Sequence, residues 1–401
     1  MSRKSEIMNA ETKQFIIENL NAEVLRLALQ SGRFPLVDMP LAIRQIAGKQ
    51  KIKSKVPLFY NTPDILFPIQ LSLEQSSSES TAKYKSGLCE GNILVDLTGG
   101  FGVDCCFMSE HFQQVSYVER QPELCELARH NFKLLKKNHV QIIQSETEKY
   151  LSEMDRVDWI FIDPARRSST GKKMVFLSDC EPDVSALSTQ LLEKAKRVMI
   201  KLSPMMDIST AINDLPTTAE IHIISVENEC KEVLLILEQN PPENIRVITI
   251  NLGKNNEIQR FVYNLNEESA SEVICTSKMN KYLYEPNSSV MKSGAFKLIA
   301  NHFSVNKLHT NTHLYTSTKL LLEFPGRIFE VVKLWGNSKQ ELKELLLIHP
   351  KANISTRNYP LSVDELRKKL KIKDGGETYL FACTLANERK VIIECKKILN
   401  I

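Results

Sequence analysis

Between residues 93 and 238 the chain alternates short, almost wholly apolar runs with longer amphipathic stretches. Apolar runs of strand length without polar alternation mark strands buried on both faces, and apolar positions every third or fourth residue mark helices packed on them. The runs at 93–97, 115–119, 140–144, 158–162, 197–202, 221–226 and 232–238 are therefore predicted strands, and the pattern over 122–136 predicts a helix. Such alternation predicts an α/β fold built on a doubly wound, Rossmann-like sheet of seven strands. Only Glu227-Asn-Glu-Cys-Lys231 separates the last two runs, too short for a parallel crossover, so the final strand should run antiparallel to its neighbour.

The flanking patterns differ. Residues 9–50 carry Phe15, Ile16, Leu20, Val24, Leu25, Leu27 and Leu29 at helical spacing, punctuated by Pro35 and Pro40, which makes 1–88 a helical N-terminal region and 89–242 the sheet core. Ser76, Ser77 and Ser78 precede a helical pattern as candidate N-caps, with Glu79 in its first turn. Asn240-Pro-Pro-Glu-Asn244 is expected to break the core from shorter elements beyond it, such as 245–252 and 295–301. After a candidate joint at Pro325-Gly326 come a strand at 327–333, a helix at 339–348, and strands at 378–385 and 390–394. These read as one or two small α+β modules.

At 401 residues and 42% hydrophobic content the chain can bury two or three cores. Nine cysteines without a Cys-x-x-Cys argue against a disulfide framework or zinc knuckle. Eight histidines show no metal-ligand spacing, His302, His309 and His313 clustering only loosely, so no metal is expected. No apolar signal core follows Met1, and no window approaches the ~20 apolar residues of a membrane span, which predicts a cytoplasmic protein with no membrane contact. The formal net charge is +4, yet residues 278–401 hold 21 Lys+Arg against 11 Asp+Glu. A basic surplus gathered in one region suits a phosphate backbone, whereas a single run such as Arg367-Lys-Lys-Leu-Lys-Ile-Lys373 suits a solvated helix face equally well.

The candidate chemistry begins at Ile93-Leu-Val-Asp-Leu-Thr-Gly-Gly-Phe-Gly-Val-Asp104, a buried strand that ends in Asp96 and a glycine-rich turn. Glycines at 99, 100 and 102 let backbone N–H groups approach a ligand, and the turn feeds a helix N-terminus. Taken singly, the turn serves a nucleotide-like cofactor, a dinucleotide, or merely a tight strand-to-helix connection. Glu119 ends the next predicted strand 23 positions after Asp96, the interval of a carboxylate that holds ribose hydroxyls. Asp163-Pro164 ends a further buried strand, where open α/β sheets gather their chemistry.

Glycine turn, ribose acid and Asp-Pro, in that order over residues 93–167, resemble motifs I, II and IV of class I S-adenosylmethionine-dependent methyltransferases. The resemblance implies S-adenosyl-L-methionine as cofactor, held by Asp96, Thr98, Gly100, Gly102, Glu119, Arg120 and Ser145, with Gln75 and Ser77 from the preceding segment. Catalysis would rest on Asp163, Pro164 and Arg166, with Asp163 orienting or deprotonating the target atom. Amine methylases of bases carry Pro and an aromatic after this acid, whereas here Ala165 and Arg166 stand there, an arginine suited to a phosphate or a base. Covalent methylation of pyrimidine C5 needs a thiolate, but Lys201-Leu-Ser-Pro-Met205 has no cysteine, and Cys180 reads as a bystander.

Together with Glu-Gln-Ser-Ser-Ser-Glu79, Asp-Pro-Ala-Arg-Arg167, Lys-Leu-Ser-Pro204 and the basic tail, the motifs resemble a bacterial methyltransferase family with a C-terminal THUMP-like domain. That resemblance implies a ferredoxin-like module at 275–325, a THUMP-like domain at 326–397, and an RNA substrate, tRNA or rRNA, docked on the basic C-terminal region. A small-molecule or protein methyltransferase, or a non-catalytic binder of the cofactor or of RNA, remains the alternative.

Overall fold

The computed structural model describes residues 8–166, 177–254 and 257–398, which divide into two compact units, 1–218 with 234–241 and 219–233 with 242–401. The first unit holds β1 (Ile93–Asp96), β2 (Gln114–Glu119), β3 (Val140–Gln144), β4 (Val157–Ile162), the two-residue β5 (Ala165–Arg166) and β6 (Cys180–Glu181), and β7 (Ala195–Leu202). Its main strands order as β7-β4-β1-β2-β3, all parallel, with Leu94 paired to Val115 on one side and to Trp159 on the other. These strands are buried on both faces, as unbroken apolar runs require: Val198, Met199 and Ile200 of β7 are 0–1% exposed. The crossover helix Pro122–Leu134 starts with Pro at its first turn and turns Leu124, Leu127, Ala128 and Phe132 inward.

Ahead of the sheet, the helices Ala10–Glu18, Val24–Ala28 and Met39–Lys55 bury Phe15, Leu27, Met39, Ala42 and Ile46 in a core of their own. Gln70–Gln75 and Glu79–Ser86 follow, and the second is capped by Ser78, whose hydroxyl accepts from Thr81 N–H.

In the second unit β8 (Thr218–Val226) turns back into β9 (Glu229–Glu238). Glu227 and Asn228 both have positive φ, 49° and 66°, as a two-residue antiparallel hairpin demands. The later half of β9, counted with the first unit, lies beside β7. The prolines at 241 and 242 do not end the sheet: β10 (Arg246–Leu252) pairs parallel with β8, and β11 (Ile258–Asn264) pairs antiparallel with β10. The expected break at 240–244 contains the boundary between the two units, which falls between 241 and 242, and beyond it β10 takes up the edge that β8 presents within the second unit.

The remaining strands are β12 (Tyr282–Pro286), β13 (Asn306–Lys307), β14 (Tyr315–Ser317), β15 (Gly326–Trp335), β16 (Asn353–Arg357), β17 (Thr378–Thr384) and β18 (Lys390–Lys397). They form one sheet ordered β13-β14-β12-β15-β18-β17-β16. Leu283, Phe329, Phe381 and Ile393 fill one core of this unit, and Trp335, Leu345, Leu366 and Ile392 fill another. Pro286 pairs with Gly326, so residues on either side of 325 share this sheet.

Candidate active site at the strand ends of the first unit

The turn after β1 is shaped by its own sequence. Asp96 Oδ1 accepts from Thr98 N–H at 3.0 Å, and Gly99 N–H donates to the Val118 carbonyl at 2.9 Å, which brings the turn against β2. A Cβ at Gly99 would lie 2.2 Å from the Tyr117 ring, and Gly102 stands at φ +82°, so both positions require glycine. The helix that follows, Val103–Met108, spans only six residues, and the Gly102 N–H that precedes it donates back to the Gly99 carbonyl at 2.8 Å, which closes the turn.

Glu119 is buried at the end of β2 and ties two turns together. Its Oε2 accepts from Gly100 N–H at 3.0 Å and its Oε1 from Gln121 N–H at 2.8 Å. Each carboxylate oxygen keeps a lone pair for a further donor, which suits a vicinal diol. The Asp163 loop is joined to the glycine turn through Thr98, whose Oγ1 accepts from Asp163 N–H at 2.7 Å.

Beside Asp163 lies a set of charges that no sequence motif assembles. Lys201 Nζ, from β7, is 2.5 Å from Asp163 Oδ2 and 3.5 Å from Asp104 Oδ2. Lys85 Nζ, fully buried, is 3.1 Å from Asp104 Oδ1. Ser77 Oγ accepts from Lys85 at 3.0 Å and Lys201 at 3.2 Å and donates to Asp104 Oδ2 at 2.7 Å. Two lysines and two aspartates make the group neutral, the condition under which such burial is tolerable. Burial raises the Asp163 carboxyl above its ordinary value although Lys201 pulls it down. At Asp104 burial also pushes up, but Lys85, Lys201 and Ser77 prevail and hold it low. Burial lifts Asp96 well above the carboxylate range, with Asp104, Asp163 and Glu119 adding to the rise against the Thr98 N–H.

Asp96, Thr98, Gly100, Gly102, Glu119 and Asp163 thus converge on one place, with Pro164 half-buried after the acid. Ser145 is half-buried at the end of β3, its N–H donating to the Glu119 carbonyl at 3.2 Å. Gln75 is exposed at the end of its helix, and Ser77, two positions on, is the residue of that segment buried in the charge cluster. Arg120 is exposed and paired with Glu181 at 2.6 Å. The Arg166 side chain and all of Arg167 lie outside the described residues. Asp104 and Lys201 stood inside the quoted motifs, and a lysine closing the apolar run of β7 was a readable signal, since an unpaired charge does not persist there. Lys85 carried no such mark. Burial pushes the Cys106 thiol up to about 12 and Cys105 well above its usual value, so neither is a ready thiolate. Among the described residues no group of three or more His, Cys, Asp or Glu is placed to hold a metal, and no helix is long and apolar enough to cross a membrane.

A parallel sheet with a glycine turn after its first strand and carboxylates at the ends of the next strands is the arrangement of nucleotide-cofactor folds, methyltransferases among them. The chain matches, at TM-score 0.90 and 34% identity over 100% of both chains, a protein of Porphyromonas gingivalis W83 known by its crystal structure as a "putative methyltransferase". Residues 282–325 match the family model of a ferredoxin-like domain and 326–397 that of a THUMP domain-like module. The chain belongs to this family, a methyltransferase fold followed by ferredoxin-like and THUMP-like domains. An rRNA methylase from Streptococcus thermophilus aligns at 13% identity over 40% of this chain and 94% of that one, at TM-score 0.30. No curated protein matches the sequence.

Proposed function

We propose that the protein is an S-adenosylmethionine-dependent methyltransferase acting on a base of tRNA or rRNA. The observation that carries this reading is the placing of Glu119 and Asp163 at the carboxyl ends of β2 and β4, on either side of the glycine turn of β1. When bound, the donor supplies a sulfonium-activated methyl group. Glu119 takes the ribose hydroxyls, Gly100 and Gly102 let the chain pass close to the donor, and Asp96, Thr98 and Ser145 line the same strand ends. Asp163 faces the acceptor and takes its proton, a role for which a carboxyl raised by burial is suited. Methyl transfer needs alignment more than covalent help, and a rigid set of strand ends provides it.

The RNA assignment rests on the second unit, where the basic surplus of residues 278–401 coincides with the THUMP-like match over 326–397. Calorimetric titration with S-adenosylmethionine and with NAD, followed by transfer of labelled methyl to total RNA from cells lacking the gene, tests the reading. Binding of the sulfonium donor alone and label in RNA are expected; binding of NAD instead, or label only in protein or small molecules, would refute it.

A further inference from the structure

Lys201 closes a run in which Val198, Met199 and Ile200 are essentially inaccessible, and its own side chain is 10% exposed. A lysine there persists only if partners compensate its charge. Asp104 is already served by Lys85 and Ser77. Lys201 is placed directly against Asp163. Its Nζ spans the two aspartates, 3.5 Å from Asp104 Oδ2 and 2.5 Å from Asp163 Oδ2, while Ser77 Oγ steadies it from the side.

We propose that Lys201 is the positioning residue of the reaction: it fixes Oδ2 of Asp163 so that Oδ1 turns to the acceptor, and Ser77, Asp104 and Lys85 fix Lys201. The inference rests on the reading of Asp163 given above. In the transfer, the acceptor nitrogen or oxygen bonds the methyl carbon, the carbon–sulfur bond breaks with its electron pair left on sulfur, and the acceptor's proton passes to Asp163. Lys201 exchanges no atom. It determines which carboxylate oxygen is presented, and its charge keeps Asp163 ionised at lower pH than burial alone would allow. The groups acting electrostatically on that carboxylate are Lys201 on β7, Asp104 on the helix Val103–Met108, Lys85 on the helix Glu79–Ser86 and Asp96 on β1. The segment around Ser77 is thereby tied to the acceptor side of the site.

The test compares the full-length protein with Lys201→Met and Lys201→Arg, using labelled S-adenosylmethionine and total RNA from cells lacking the gene. Lys201→Met is expected to bind the donor as the native protein does and to lose about 100-fold in kcat. The acid limb of its pH–rate profile should move up by about one to three pH units, because the removed cation had favoured the carboxylate. Lys201→Arg should restore part of the rate and return the limb toward the native position. A clamp with only a structural role would lower the melting temperature and leave the limb in place. A folded Lys201→Met with native kcat, or with an unmoved limb, overturns the proposal; should Lys201→Met not fold, Lys201→Gln makes the same comparison. If the native protein transfers no methyl to RNA, the proposed function fails, and carboxyl 13C titration of Asp163, assigned with Asp163→Asn, decides on Lys201 alone. A titration raised by Lys201→Met supports the hold, and an unchanged one refutes it.

Discussion

Gly100 N–H donates to Glu119 Oε2 at 3.0 Å, so the tightest part of the glycine turn is hydrogen-bonded to the acid at the end of the neighbouring strand. One carboxylate therefore shapes the turn and faces its mouth. Replacing Glu119 by Ala is expected to weaken S-adenosylmethionine binding by about 100-fold, since two charge-assisted hydrogen bonds to the ribose would be lost. Glu119→Gln, which can still accept from Gly100 N–H, should lose less. Calorimetry on both variants checks the order; equal affinity in all three proteins would remove Glu119 from the site.

Gly99 sits where a Cβ would come 2.2 Å from the Tyr117 ring, which is itself buried. Gly99→Ala should destabilise the protein by about 1–3 kcal/mol through overpacking. Gly87, whose Cβ would meet the Tyr84 carbonyl oxygen at an ordinary 3.6 Å, is the control, and Gly87→Ala should be near neutral. Denaturant unfolding of the two variants checks this.

The sheet was legible because its strands are unbroken apolar runs, and periodicity reports such strands faithfully; β7 was expected at 197–202 and spans Ala195–Leu202. Asp96, Glu119 and Asp163 were legible for a related reason, each being a carboxylate that ends such a run. Pro241-Pro242 marked the boundary between the units, but a proline turn does not say which strand edge the chain takes up next, so the pairing of β10 with β8 was not legible. Lys85 could not be found at all. It lies on a helix with Lys83, which is exposed, and only the packing of that helix on Val103–Met108 buries one lysine and not the other. Ser77 was read as one of three capping candidates, and the cap went to Ser78.

The second unit should be sensitive to acid through His313. Burial, with Lys307 and Arg357 adding to it, lowers this imidazole from 6.5 to about 4. The unfolded chain then binds the proton more readily, so the stability that neutral His313 contributes is full above pH 6.5 and is lost as pH falls toward 4. His313 is half-buried with its ring stacked on Phe296 at 3.7 Å, and it holds a positive φ of 52° that Asn tolerates. His313→Asn should flatten the decline in unfolding free energy between pH 7 and pH 5, whatever its effect on stability at pH 7. A native slope in the variant would assign the decline elsewhere.

RNA binding by the second unit should be dominated by ion pairs to phosphate and fall steeply with salt. Lys368, Lys369, Lys371 and Lys373 are exposed on and just after the helix Val363–Leu370. Replacing all four by Gln should weaken binding to total tRNA without lowering thermal stability, and should reduce the salt slope by about one for each phosphate no longer neutralised. An unchanged slope would place the RNA surface elsewhere.

Asp163 is expected to receive a proton from an RNA base as a methyl group arrives. Mass-spectrometric nucleoside profiles of RNA from cells with the gene, without it, and complemented with the native or the Asp163→Ala protein measure this directly. One nucleoside should lose a single methyl in the deletion, regain it with the native protein and fail to regain it with Asp163→Ala. Identical profiles in all four, or full restoration by Asp163→Ala, would contradict that role.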